Sequence, residues 1–400
     1  MKESIKISII MPFLNSIEYL KECMDSVINQ SLKEIEIICV DAGSTDGTIE
    51  VLKEYEKNDE RVVLIYSDKK SYGYQINLGL KRARGEYFGI VESDDYIKEE
   101  MYETLYGLAI KYNCDVVKSD FCRFIHENGQ RQFSYASIMP IKELYNKIIN
   151  PLKDLRAFKG YGLNQPGVYR MEMIKKYNIR LNETPGASYQ DNGLWFQMFA
   201  QAEKVFFYDK AFYMLRRDNP NSSVKSKEKV YCMCEEYDFI RNFLKCNPKI
   251  EKNLAPICAY YRYLNYMFTL ERIDRKFKLE FCKRFSNDFE NIKLNGELDN
   301  KLYKKDQLSE LQFIINQPEK YYFTKVYNFN NENTTLEEVI NQNIAINYKI
   351  EELLAKIDEI KKSNKITNKN LKYYFDKCYY SYKNYGFKYT IKKILDKVIK

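Results

Sequence analysis

Short apolar runs and helical apolar stripes alternate over the first 120 residues. Runs rich in Val and Ile at 6–11, 35–40 and 62–66 read as strands, because β-branched side chains suit a pleated, buried surface. Between the first two, Ile17, Leu20, Met24, Val27 and Ile28 recur at the spacing of one helix face. The same pattern predicts helices over 48–55, 75–83 and 101–112, and further strands at 87–91 and 116–119. This order predicts an α/β fold: a mainly parallel, Rossmann-like sheet with helices on both faces.

Later stretches change character. Gln165-Pro166-Gly167 reads as a turn into a strand ending at Arg170. Leu194, Trp195, Met198 and Phe199 mark a helix with Asp191 at its start. Over 226–330, Tyr, Lys and apolar residues recur at helical spacing, which predicts a helical accessory domain behind an α/β domain of 1–225. Leu336, Asn343, Ile350 and Ile357, interleaved with Val339, Ile346, Leu353 and Ile360, form a heptad over 336–360. Its single Asn suits a parallel two-stranded coil within the segment 331–364, and hence a homodimer through 336–360. An amphipathic helix folded back on its own chain would carry the same pattern. Over 371–400 tyrosines alternate with lysines, and Ile391, Ile394, Leu395, Val398 and Ile399 make one apolar face. That make-up fits a helix lying on an anionic membrane, or a solvated tail.

Composition narrows the classes. Four hundred residues exceed one core, so more than one unit is expected. The segment 365–400 carries ten lysines against two aspartates, the whole of the net +8, so the body offers no basic groove and no nucleic-acid partner is expected. The ten cysteines lack zinc spacings and read as reduced core thiols. His126 is the only histidine, which excludes a histidine pair or a Ser-His-Asp triad. No run is apolar enough to cross a membrane and no leader is evident, so the expected location is cytoplasmic, peripheral on the inner face of the membrane if the tail binds there.

Chemistry concentrates at the ends of the predicted strands. Glu92, Asp94 and Asp95 directly follow the run 87–91. Crowded carboxylates at a strand end are costly unless a cation holds them, and a divalent metal carrying phosphate oxygens would do so. First-turn acids of the next helix are the plainer account. The first strand leads into Pro12-Phe13-Leu14-Asn15, and the second into Asp41-Ala42-Gly43-Ser44-Thr45-Asp46-Gly47-Thr48, whose glycines let backbone approach a ligand. Neither a G-x-G-x-x-G fingerprint nor a P-loop is present.

These pieces together, with Asn77-x-Gly79-Leu80 and Ala83-Arg84-Gly85-Glu86-Tyr87, resemble the family 2 nucleotide-sugar glycosyltransferases of GT-A fold. The resemblance is good to about residue 120, patchy to about 225 and absent beyond. It implies an inverting transferase acting on a bacterial surface glycan or its lipid-linked precursor, with a nucleotide-sugar donor. Pro12, Phe13, Asn15, Asp41, Ala42, Gly43 and Ser44 would line the donor's base. Asp95 would ligate the metal, and Asp94 the metal or ribose. Arg216 and Arg217 would meet the diphosphate. Asp191 would be the base, and Tyr189 and Trp195 would face the acceptor. Ala42 stands where the family often has an acid, and Glu92 where Asp is commoner. A sugar nucleotidyltransferase is a second reading, but the turn after the first strand lacks a Gly- and Arg-rich loop. A non-catalytic scaffold is a third.

Overall fold

The computed structural model describes residues 4–220, 222 and 225–326. Strands β1 (Ile7–Phe13), β2 (Ile35–Asp41), β3 (Val62–Tyr66) and β4 (Tyr87–Ile90) alternate with helices α1 (Ile17–Ile28), α2 (Thr48–Asn58) and α3 (Tyr72–Arg82). A two-residue β5 (Tyr96–Ile97) precedes α4 (Met101–Tyr112). The four long strands pair in parallel in the order β3-β2-β1-β4. Every residue of β1 and β2 is buried, which is why both read as mostly apolar runs, broken only by Ser8, Glu36 and Asp41. Gly79 lets α3 lie close on β1, because a Cβ there would collide with the Ile10 side chain.

The Ala83-Arg84-Gly85 piece fastens the end of the sheet remote from the strand-end loops. Glu36 is buried and accepts from Ser8 Oγ (2.6 Å) and from Arg84 Nη2 (2.8 Å), while the Gly85 N–H donates to Ser8 Oγ (2.8 Å).

The second half of the sheet adds β6 (Val116–Glu127), β7 (Gln130–Ala136), β8 (Ile148–Ile149), β9 (Gly167–Arg170) and β10 (Val205–Arg216), with α5 (Met171–Lys176) and α6 (Asp191–Gln201) between the last two. Strand β9 runs antiparallel between β4 and β6, and β10 lies parallel to β6. Strand β6 continues past its expected end at 119 and turns into β7 through Asn128-Gly129. Both turn residues have positive φ (52° and 76°), as a tight hairpin turn requires.

Helices α7 (Cys232–Lys245), α8 (Pro248–Arg272), α9 (Arg275–Leu294), α10 (Lys305–Asn316) and α11 (Pro318–Tyr321) follow. Tyr263, Tyr266, Phe281, Phe285 and Phe289 fill their core. The buried Arg262 is paired with Asp238 (2.9 Å) and Asp288 (2.7 Å). Sheet and helices belong to one compact unit ending at Tyr322, so the change of element type near 225 falls inside it. The heptad 336–360 and the basic segment 371–400 lie outside the described residues. Among the described residues no helix is long and apolar enough to cross a membrane, and the cysteines are free thiols.

Candidate active site

The loops after β1 and β2 are built around Asp41. Its Oδ1 accepts the N–H groups of Gly43 (2.8 Å) and Ser44 (2.9 Å), and its Oδ2 accepts the Ser44 hydroxyl. Gly43 takes the left-handed φ of 85° that this turn needs. Asp41 is fully buried, so it shapes the loop instead of offering a carboxylate to a ligand. Asn15 locks the two loops together: its N–H donates to Ser44 Oγ (2.8 Å) and its Oδ1 accepts from the Thr45 N–H (2.8 Å). Pro12, Phe13, Ala42 and Ser44 are buried, and Asn15 and Gly43 stand exposed. Gln75 of α3, which the sequence reading passed over, donates to the carbonyls of Phe13 (2.9 Å) and Val40 (2.7 Å) and ties the two strand ends.

The acids after β4 have three different surroundings. Asp95 is 2% exposed, and both its oxygens are held internally: Oδ2 by Tyr213 Oη (2.7 Å) and Oδ1 by the Arg216 N–H (2.7 Å). Burial first, and then the neighbouring Asp94, push its carboxyl well above the usual range. Asp95 is therefore a bracket inside the fold and is not turned towards a metal as expected. Asp94 is the more accessible of the couple, with Oδ2 accepting from Asn219 Nδ2 (2.7 Å). Glu92 Oε1 accepts from Tyr72 Oη (2.8 Å) and Gln165 Nε2 (2.6 Å), and burial pushes its carboxyl up to about 7.

Among the described residues no three His, Cys, Asp or Glu side chains converge as a metal cage. A half-exposed carboxylate does fit an ion that takes most of its ligands from water and phosphate, as Mg²⁺ and Mn²⁺ do when bound with a substrate.

Asp191 opens α6, half-buried, as expected from the sequence. Burial pushes its carboxyl up to about 6; backbone N–H groups and then the Lys118 ammonium act in the other direction. Asn164 Nδ2 donates to the Asp191 carbonyl (2.8 Å). Asn164 is adjacent to Gln165, so two neighbouring residues hold the start of α6 and Glu92. Asn164 Oδ1 and Gln165 Oε1 are themselves buried without a hydrogen-bond partner. Behind α6, the fully buried Glu236 of α7 accepts the Gly193 N–H (2.7 Å) and Asn182 Nδ2 (3.2 Å), supplying an acceptor to the first turn. Burial pushes its carboxyl up to about 8.

Other expected contacts are corrected. Trp195 is 2% exposed and packs against Phe158, Phe199 and Tyr261, so its indole is a core aromatic and does not face an acceptor. Arg216 is tied inward: Nε donates to the Asp94 carbonyl (2.8 Å), Nη2 pairs with Glu22 (2.9 Å), and the guanidinium stacks on Tyr19 and Phe124. It braces the acidic turn and is not presented to a diphosphate. Arg217 is exposed. Tyr189 has φ 67°, sits half-buried beneath the Arg272 guanidinium (5.4 Å) and keeps its hydroxyl unpartnered.

The mixed sheet with its ligand loops at the carboxyl ends of β1, β2 and β4 is the GT-A fold. Residues 8–176 match the sequence profile described as Glycosyl transferase family 2. The glycosyltransferase GlyG of Streptococcus pneumoniae is 30% identical over 219 residues, covering 53% of this chain and 70% of GlyG. GlyA of the same organism is 28% identical over 215 residues, 53% of this chain, which spans only 30% of GlyA. Among solved structures, residues 1–349 of S. aureus TarS in complex with UDP superpose with a TM-score of 0.60 at 19% identity, over 80% of this chain and 91% of that one. The chain belongs to glycosyl transferase family 2.

Proposed function

We propose that this protein moves a sugar from a nucleoside diphosphate donor, a UDP-sugar, to a hydroxyl of a growing bacterial surface glycan, capsule or lipooligosaccharide. The observation that carries this is the Asn164–Gln165 bridge, which ties Glu92, two residues before Asp94 in the turn after β4, to the backbone carbonyl of Asp191 at the start of α6. One acidic position then serves the donor phosphates and the other the acceptor. The UDP and UDP-GlcNAc complexes of TarS support a uridine donor. The acceptor class rests on the family resemblance.

In this reading the Asn15 and Asp41–Ser44 loops hold the base, and Arg217 faces the diphosphate. Asp94 would hold Mg²⁺ or Mn²⁺, which when bound neutralises charge on the leaving diphosphate. Ionised Asp191 takes the acceptor hydroxyl's proton while that oxygen bonds to the anomeric carbon. The bond from that carbon to the diphosphate oxygen breaks on the opposite face, so configuration inverts. A carboxyl titrating at about 6 is mostly ionised at neutral pH and still basic enough to accept a proton.

Asp191→Asn should keep UDP-dependent thermal stabilisation in the presence of Mn²⁺ and lose sugar transfer by roughly 10²–10⁴-fold. Undiminished transfer removes the base role, and no stabilisation of the wild type by any nucleotide removes the donor reading.

A further inference from the structure

The polar outer half of β6 has no part in the chemistry proposed for the site, yet it grips the chain that leaves β10. The β6–β10 ladder ends with Arg216 opposite Phe124. Contact continues beyond that pair: the Arg217 N–H donates to the Phe124 carbonyl (2.9 Å). His126 then holds Asp218 at two points, its backbone N–H (2.7 Å) and its ring Nδ1 (2.9 Å) both meeting Asp218 Oδ2. One residue further, Asn219 Nδ2 donates to Asp94 Oδ2 (2.7 Å). An unbroken run of contacts thus leads from the only histidine of the chain to the more accessible carboxylate of the acidic turn.

The neighbours of the ring fix its proton. Nε2 accepts from Arg131 Nε on β7 (3.0 Å), so that nitrogen carries no hydrogen. In a neutral imidazole the one proton then sits on Nδ1, the atom against Asp218. Arg216 Nη1 lies 3.2 Å from Nδ1 and 3.6 Å from Asp218 Oδ1. Glu22 of α1 pairs with both Arg131 (2.6 Å) and Arg216 (2.9 Å). Two guanidinium groups therefore flank the ring, and a proton on Nε2 would oppose the Arg131 N–H. Only the neutral ring with its proton on Nδ1 satisfies all of these contacts.

We propose that His126 is a positioning residue for Asp94: through Asp218 it fixes residues 217–219, and so the Asn219 amide that orients the Asp94 carboxylate. Its effect on the donor rests on the reading of Asp94 as the group that holds the metal, while the contacts themselves exist or fail without it. A carboxylate already oriented loses less freedom when it takes an ion, which is what such outer contacts supply.

The test measures UDP binding by calorimetry with and without Mg²⁺. His126→Ala removes the ring and keeps the backbone donor. His126→Asn keeps an amide N–H near the place of Nδ1. Loss of a hydrogen bond to a charged group is worth tenfold or more, and partial exposure of the ring sets the lower end. His126→Ala should weaken UDP binding roughly tenfold in Mg²⁺ and leave binding without metal unchanged, and His126→Asn should restore most of the loss. Equal weakening with and without Mg²⁺ would mean a general structural defect and overturns the proposal, as does unchanged binding in Mg²⁺.

A second measurement reads the ring directly. With ¹⁵N-labelled histidine the protein gives one imidazole, His126. In alkaline buffer Nδ1 should carry the proton, and a ring protonated on Nε2 overturns the arrangement. Because coupling between sites is reciprocal, adding UDP with Mg²⁺ should shift this signal in the wild type and not in Asn219→Ala. A wild-type signal that stays put while UDP binds refutes the coupling. A ring protonated on Nδ1 in a protein that binds no UDP sustains the contacts and fails the donor reading instead.

Discussion

Tyr213→Phe tests whether Asp95 belongs to the scaffold. The hydroxyl of Tyr213 accepts the Glu92 N–H (3.1 Å) and donates to Asp95 Oδ2 (2.7 Å), so one oxygen atom spans the acidic turn. Phenylalanine keeps the fully buried ring in place, and no cavity term enters. What is lost is the hydrogen bond to a buried carboxyl plus the partner of a backbone donor. A buried acceptor stripped of its donor costs about 1–3 kcal/mol. The half-buried Glu92 N–H adds about 1 kcal/mol, because water can replace part of the loss. The total is roughly 2–4 kcal/mol. Each kcal/mol moves the melting temperature of a large domain by about 2 °C, so a fall of roughly 4–8 °C is expected. Urea unfolding at neutral pH with an unchanged m-value is the assay. A loss below about 0.5 kcal/mol would mean that the bracket does not hold the turn, and Asp95 would return as a candidate ligand.

Glu236→Gln reports on the support behind α6. The Glu236 carboxyl titrates at about 8 in the folded protein, above its ordinary range. A raised pKa stabilises the fold at low pH, and that contribution is lost as pH rises from about 4.5 to about 8. The Gln variant should therefore show a flatter melting temperature across that window, and an unchanged slope would reject the assignment. Gly79→Ala drives a methyl into Ile10, and core overpacking costs about 1–3 kcal/mol. Chemical denaturation checks it, and a neutral result would show that α3 shifts freely on β1.

The parallel half of the sheet was legible because its signals are periodic. Residues 17–28 and 62–66 match α1 and β3 end to end, and every residue of β1 and β2 is apolar or locally satisfied. The apolar run that marks β6 ends at 119 because the outer half of the strand is polar and partly exposed, and Asn128-Gly129 is the one sequence feature there that suits a hairpin turn. In the site, Asp191 was legible from its place before an apolar helix. Arg216 and Trp195 were not, since residue type says nothing about which way a side chain turns. Gln75, Asn164, Gln165 and Glu236 act by holding backbone or acids, and single polar residues of that kind leave no pattern. Lys118 left a trace: a lone cation in Val116-Val117-Lys118-Ser119, a run that is buried throughout.

The antiparallel placement of β9 bears on how the chain reaches its native state. The strand that closes β4 on its outer side comes from residues about eighty positions later. During synthesis the nascent parallel half would therefore present a bare row of amides and carbonyls until residue 170 had left the ribosome. Such a row invites pairing with other chains, and pairing distant in sequence forms slowly. Fragments ending near residue 120 should aggregate instead of folding, whatever their share of the ligand loops.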